Sequence, residues 1–186
     1  MRYLNRLLWT ACFLLPTLTA GAQETTLAPL QSIPNVDVTR YTGRWYEIAK
    51  FPNRFQTQCV SDTVAEYRPL GDGRVEVRNR CGLQDGTVED AVGVARQIGA
   101  AESPKFQVRF APAWLSFLPL VWGDYWIIDL DANYTLAAVS EPKREYLWIL
   151  SRSPVVDAGT YRALLTRLRA MGLDINKLAT TKQTGA

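Results

Sequence analysis

Between Gly123 and Arg152 the chain reads GDYWIIDLDANYTLAAVSEPKREYLWILSR, three strand-like runs separated by short turns. Tyr125–Leu130 is β-branched and aromatic. Tyr134–Ser140 follows the turn formers Asp131 and Asn133, and Tyr146–Ser151 follows the Pro142-Lys143-Arg144 turn. Connections this short make an antiparallel meander. Each run is apolar at nearly every position instead of alternating, so both faces of this sheet must lie against something other than water. One face needs a core and the other a cover.

The rest of the chain supplies both. Gly43–Phe51 reads as a first strand, Cys59–Tyr67 and Arg74–Cys81 as a second and third around the turn Leu70-Gly71-Asp72-Gly73. In the third, Val75, Val77 and Asn79 alternate with Glu76, Arg78 and Arg80, so the valines face inward and the charges face water. Thr87–Ile98 is a fourth strand, where Gly93 and Ala95 leave room for bending or for a ligand. In the fifth, Phe106, Val108 and Phe110 alternate with Lys105, Gln107 and Arg109. After Ser153-Pro154, Tyr161, Leu164, Leu165, Leu168 and Met171 recur at helical spacing over Asp157–Met171, with Gly172 as the C-terminal cap. This helix is the outside cover. Residues 173–186 add a short strand and then fray. Eight strands, each joined to its sequence neighbour, predict an all-β fold, an eight-stranded antiparallel up-and-down barrel with a C-terminal α-helix packed outside.

Composition narrows the chemistry. The chain of 186 residues suits one domain. Residues 1–22 carry Arg2 and Arg6, an apolar run from Leu7 to Leu18, and Ala20-Gly21-Ala22, the pattern of a signal peptide cleaved after Ala22. The run is shorter than the ~20 residues a spanning helix needs. Residues 23–36 form a polar lead-in and residues 37–186 the folded domain. Removing the leader takes two of the 21 basic residues and none of the 18 acidic ones, leaving 19 against 18 and a net charge of +1. No electrostatic footprint for nucleic acid remains. There is no His, which removes imidazole metal sites, Ser-His-Asp triads and Cys-His dyads together. No metal and no cofactor is expected. Cys59 and Cys81 fall nearly opposite each other in a hairpin centred on Gly71-Asp72-Gly73, so a disulfide is expected in an oxidising compartment.

Three further features carry a resemblance. Gly43-Arg44-Trp45 near the start of the domain, the Asp131 to Tyr134 turn, and Arg152 closing the last strand resemble the three lipocalin motifs in order and spacing. The wording RWYEIAKFPNRF, GDYWIIDLD and EYLWILSRSP is similar to the bacterial lipocalin and apolipoprotein D branch, over roughly residues 37–178. The resemblance implies that Trp45 plugs the closed base of the barrel with the Arg152 guanidinium across its indole, a structural role. It also raises a lipid-modified Cys12 as the alternative to cleavage after Ala22, since bacterial members are often lipoproteins. Trp9-Thr10-Ala11 is a poor lipobox, however.

The expected function is that of an exported lipid-binding protein. A barrel of this size holds one small ligand, and an apolar lumen would take a fatty acid, a lysophospholipid or a similar molecule for storage or transport in envelope maintenance. The candidate ligand contacts are Tyr46, Glu47, Val77, Phe106, Val108, Phe110, Tyr125, Trp126, Tyr146 and Trp148. Tyr125 and Trp126 face opposite ways, and the sequence does not choose between them. For any one of the inward residues, ordinary core packing explains its presence equally well. A headgroup would meet Glu47, Asn79 or a tyrosine hydroxyl. The loop 111–122, APAWLSFLPLVW, has no charge and holds Trp114, Phe117 and Trp122. It reads as a lid or a membrane-touching lip at the open rim, or as a segment folded back on its neighbours. The product is expected in the periplasm, as a monomer or weak homodimer, with an outer-membrane anchor through Cys12 as the alternative. Two rival readings are a lipocalin-scaffold enzyme with a Cys nucleophile and a protein-contact module acting through loop 111–122. A third, an outer-membrane barrel, would need apolar residues facing out and leaves the helix at 157–171 unexplained.

Overall fold

The computed structural model describes residues 27–185. The leader read at residues 1–22, with Cys12, lies outside them. A short helix α1 (Val38–Tyr41), capped by the Asp37 carboxylate accepting from Arg40 N, delivers the chain to β1 (Gly43–Lys50). There follow β2 (Ser61–Leu70), β3 (Arg74–Gly82), β4 (Val88–Gln97), β5 (Lys105–Arg109), β6 (Gly123–Leu130), β7 (Leu136–Ser140) and β8 (Leu147–Ser151). Helix α2 (Ala158–Ala170) and a two-residue β9 (Ala179–Thr180) complete the order. Each strand from β2 to β8 pairs antiparallel with the next, and β1 pairs with both β8 and β2, so the sheet closes. This is the expected eight-stranded barrel with a helix outside it. Among the described residues no helix is long and apolar enough to cross a membrane.

Strand alternation divides the buried residues into two cores. The inner one holds Trp45, Tyr67, Val75, Val77, Phe106, Ile127, Val139 and Leu150. The outer one sets Ala49, Ile128, Leu136, Ala138, Leu147 and Ile149 of the sheet against Leu164 and Leu168 of α2. All five residues of β7 are buried, which explains why the meander does not alternate in polarity. Arg167 of α2 also donates to the Asp129 carboxylate at 2.7 and 2.9 Å. Away from the helix, the outer wall of β1–β4 carries ion pairs: Arg44–Glu66, Arg68–Glu76 and Arg78–Asp90. An outward face of this kind belongs in water, not in hydrocarbon.

The lead-in contributes Leu30 and Val36 to the cores, and Ile33 N donates to Ile127 O. The end of the chain differs from the expectation of fraying. Pairing between β1 and β2 stops at Tyr46 and Val64, and the tail fills the gap beyond. Thr181 N donates to Ile48 O, Asp62 N to Lys182 O, and Thr184 N to Asp62 Oδ1. The backbone groups left open by the diverging strands hold the tail in place.

Candidate ligand-binding site

The connections sort the barrel into two ends. The turns at 71–73, 98–104 and 131–135 lie with α1 at one end, and the loops 51–60, 83–87, 110–122 and 141–146 lie at the other. The first end is closed by Trp45, which is fully buried and donates its indole N–H to Tyr41 O at 2.8 Å. The Arg152 guanidinium lies 3.9 Å from the centre of the Trp45 ring. It donates to the carbonyls of Arg44, Arg40, Tyr41, Thr42 and Tyr134. Burial pushes the Arg152 pKa down, against the charges of nearby Tyr41 and Tyr67. Gly43 has φ +94, and a Cβ there would lie 3.3 Å from Arg152 Nη1, so glycine serves both the backbone and the guanidinium. Asp131 organises the neighbouring turn. Burial pushes its carboxyl up, but backbone N–H groups of Leu136, Thr135 and Asn133 and the Thr135 hydroxyl outweigh this and hold it below the usual range. Tyr134, at φ 61, accepts from Asp37 N through its hydroxyl while Arg40 stacks on its ring. Trp45 and Arg152 thus form a stacked pair at the closed end.

Above the plug three phenols meet. The Tyr125 hydroxyl is 2.8 Å from that of Tyr41 and 3.0 Å from that of Tyr67. Burial raises the pKa of all three, Tyr67 to about 12 and the other two well above their ordinary value. Beside them is an apolar cavity of about 30 Å³ lined by Val38, Tyr67, Val75, Val77, Ala95, Phe106, Val108 and Tyr125 among others. That is space on the scale of a water molecule. Val77, Phe106, Val108 and Tyr125 thus line the lumen, and side chains fill most of its lower part.

The register settles the remaining candidates. Phe106 opposes Tyr125 and Lys105 opposes Trp126, so Tyr125 faces the lumen. Trp126 faces outward under α2, with the Lys105 ammonium 4.1 Å from its ring centre. Trp126 is not a lumen contact. Neither is Tyr46, because Trp45 and Glu47 on either side of it face inward. Phe110 lies past the end of β5 at the open end, 46 % exposed, with its ring over the inner face of Gly93, where a Cβ would be 2.8 Å from it. Trp148 and Leu150 face inward as parity required, and Tyr146 stacks on Trp148 and meets Phe55 at the mouth. In loop 111–122, Trp114, Phe117 and Leu120 are exposed, Leu120 at 96 %. Trp122 is not part of this lip. It folds back on the outer wall, where Arg96 lies 4.0 Å and Arg109 5.3 Å from its ring centre, and its indole donates to Ser116 O.

The expected set omits the inner-core residues Tyr67, Val75, Ala95 and Leu150 and also one inward charged residue, Lys50. Between Glu47 and Ala49 the pairing of β1 with β8 shifts register, so Glu47 opposes Leu150 while Lys50 opposes Trp148, both inward. Lys50 and Glu47 consequently form a buried ion pair at 2.9 Å. Glu47 also accepts from Gln56 Nε2 at 2.7 Å and from the Thr181 hydroxyl at 2.5 Å. Gln56 in turn accepts from the Trp148 indole at 2.8 Å. Thr63, two residues before inward Ala65 and on the same parity of β2 as Ala65 and Tyr67, is buried with no hydrogen-bond partner for its hydroxyl among the described residues. Cys59 and Cys81 form the expected disulfide, with Cα atoms 5.5 Å apart, so neither presents a thiolate.

Residues 36–183 match the model of the Lipocalin-like domain. The chain is 37 % identical over 158 residues to Temperature-induced lipocalin-1 of Arabidopsis thaliana, covering 83 % of each. It is 32 % identical over 156 residues to Outer membrane lipoprotein Blc of Vibrio cholerae, covering 83 % of this chain and 86 % of that one. To Apolipoprotein D of Mus musculus it is 34 % identical over 175 residues, covering 89 % and 88 %. Among solved structures, insecticyanin of the tobacco hornworm Manduca sexta has a TM-score of 0.65 at 21 % identity, over 84 % of this chain and 86 % of that one. Apocrustacyanin C2 has a TM-score of 0.62 at 16 % identity, over 79 % of each. Those two structural likenesses concern the fold alone.

Proposed function

This chain belongs to the lipocalin family, and we propose that it is an exported binding protein that takes a fatty acid, a lysophospholipid or a similar single-chain lipid through its open end. Lipocalins typically bind and carry hydrophobic ligands. The observation that carries this reading is the continuity of apolar surface. The lumen wall of Val77, Phe106 and Val108 rises to Phe110, Tyr146 and Trp148, and beside that mouth stand Trp114, Phe117 and Leu120, exposed and uncharged. A ligand pocket typically measures ~300 Å³ or more. The lower cavity is about 30 Å³, so a chain enters either by widening the lumen around Phe106 and Tyr125 or by lying across the mouth. Each buried CH₂ gains about 0.8 kcal/mol, against a substantial cost of association.

Export is supported by the leader at residues 1–22 and by relatives named as outer membrane lipoproteins. The reading places the protein in the envelope, in the periplasm or anchored at the outer membrane through Cys12. It assigns binding and no catalysis. The test is native mass spectrometry of the purified protein with lipid extraction, followed by tryptophan fluorescence titration of the delipidated protein. One co-purified acyl lipid per barrel, and quenching by added fatty acid or lysophospholipid, are expected. An empty barrel whose fluorescence ignores both would refute it.

The exposed lip favours one further role for the same end, contact with a membrane surface while lipid is exchanged. Exposed aromatic and leucine side chains without charge suit the interface of a bilayer. Sedimentation with phospholipid vesicles is expected to retain the protein, and Trp114→Ser with Phe117→Ser to release it. Equal retention of that variant would overturn the membrane role.

A further inference from the structure

The mouth holds hydrogen-bonding capacity that the fold leaves unused. Both Glu47 oxygens are engaged: Oε1 accepts from Lys50 and Thr181, and Oε2 from Gln56. Lys50 is not. An ammonium carries three donors, and among the described residues Glu47 is its one partner, although the Lys50 side chain is only 12 % exposed. Buried donors without acceptors are costly. The Thr63 hydroxyl adds a second unmet group, on a residue 6 % exposed. These two groups share the lumen face. Lys50 lies opposite Trp148 on the β8 side of β1, and Thr63 lies on β2 one position beyond the Tyr46–Val64 pair, at the level of Glu47.

We infer that Lys50 and Thr63 form an oxyanion station at the barrel mouth, which takes the carboxylate or phosphate group of the bound lipid. The inference rests on the lipid-binding reading above and names the headgroup class it selects. Glu47 is a positioning residue: it holds the ammonium inward, and its charge is met by Lys50, so it does not attract a cationic headgroup. Gln56, which also accepts from Asn53 Nδ2 within the loop 51–60, ties this station to that loop by donating to Glu47 and accepting from the Trp148 indole. Trp148 and Tyr146 form the apolar wall beside it. A ligand bearing one oxyanion next to an alkyl chain satisfies both surfaces at once, whereas a neutral alcohol of equal length satisfies only the wall.

The test compares dodecanoate, dodecyl phosphate and dodecanol, titrated into delipidated protein by tryptophan fluorescence. At least one of the two anions should bind about tenfold or more tightly than the alcohol, the scale of one charge-assisted hydrogen bond. Whichever anion prevails identifies the headgroup. Lys50→Met should abolish the preference, and Lys50→Arg, which keeps the pair with Glu47, should largely preserve it. Thr63→Val is isosteric and removes no side-chain bond made among the described residues, so it should keep or raise stability and narrow the preference several-fold. Equal affinity of wild type for acid, phosphate and alcohol would overturn the oxyanion station and leave the lipid-binding reading intact. A preference that survives Lys50→Met would do the same. Failure of all three ligands to bind would overturn both.

Discussion

Replacing Arg152 by Lys keeps the charge at the closed end and removes the planar fork. The structure makes the difference large. Nη1 donates to Arg44 O at 2.7 Å, Nη2 to Arg40 O and Thr42 O at 2.8 Å each, with longer bonds to Tyr41 O and Tyr134 O. A hydrogen bond to a charged group contributes roughly 1.5–3 kcal/mol net. The Arg40 and Arg44 carbonyls can recover water when the donor leaves, so their loss falls at or below the low end of that range. The stack on Trp45 adds about 0.5–2 kcal/mol. Since these terms share one group they are not additive, and Arg152→Met is expected to cost about 3–4 kcal/mol. Lysine can reach one or two carbonyls from a point charge but cannot also lie flat on the indole. Arg152→Lys should therefore still cost about 2–3 kcal/mol. For a domain of this size each kcal/mol moves Tm by roughly 2–4 °C, so the Lys variant should melt about 4–12 °C lower. Urea unfolding followed by tryptophan fluorescence and by circular dichroism gives the free energies. If Arg152→Lys falls within about 0.5 kcal/mol of wild type, charge alone closes the barrel and the argument from the fork fails.

Three other perturbations test separate parts of the molecule. Tyr67 titrates near 10 when unfolded and at about 12 in the barrel, so its contribution is intact below pH 10 and is lost as pH rises toward 12, at up to about 1.4 kcal/mol per pH unit. Phenolate absorbance should show Tyr41, Tyr67 and Tyr125 titrating only as the protein unfolds, and ordinary titration of all tyrosines in the folded state would contradict this. Reducing the Cys59–Cys81 bond, which joins residues 22 apart, should lower stability by ~3 kcal/mol in the chain-entropy account, and a change below about 1 kcal/mol in urea unfolding would argue against it. At Gly93 a Cβ would lie 2.7 Å from Arg109 O and 2.8 Å from the Phe110 ring, whereas at Gly71 it meets nothing within 4 Å. Gly93→Ala should accordingly cost about 1–3 kcal/mol, with Gly71→Ala within about 0.5 kcal/mol of wild type, and equal melts for the two would refute the packing at the mouth.

The barrel was legible because its signals are local and repeated. The undivided apolar character of Leu136–Ser140 announced two covered faces, and the spacing of Leu164 and Leu168 supplied the second cover. Period two placed Val75, Val77, Phe106 and Val108 inward without error. Period two could not choose between Tyr125 and Trp126, since both are aromatic and both end up at least half buried; the register against Phe106 and Lys105 decides it. Strict alternation also fails in β1. Counting by twos from Trp45 puts Ala49 inward and Lys50 out, yet the irregularity after Glu47 turns Ala49 toward α2 and Lys50 into the lumen. The sequence does carry a trace of it: Glu47 and Lys50, three apart, belong to opposite faces of a regular strand and can pair only if the strand breaks its period. Loop 111–122 was split for a similar reason. Its composition is uniformly apolar, but only Trp122 has two arginines, Arg96 and Arg109, to lie between.

The two ends of the barrel follow opposite rules, and this has a measurable consequence. At the closed end the Trp45 indole, the Arg152 guanidinium and the Asp131 carboxylate are all engaged within the fold. At the mouth, among the described residues, the Thr63 hydroxyl has no partner and the Lys50 ammonium has Glu47 alone, while Trp114, Phe117 and Leu120 stand in solvent. Local opening is cheapest where buried contacts are few, and binding surfaces are drawn from that end of the range. Amide hydrogen exchange should therefore be slowest around Trp45 and Leu150 and faster in loops 51–60 and 110–122. A bound single-chain lipid should slow exchange in loop 51–60, because Gln56 links that loop to Glu47 and Trp148 at the proposed headgroup station. Protection confined to the lower lumen, with loop 51–60 unchanged, would mean that the ligand sits below Lys50 and that the mouth is only a passage.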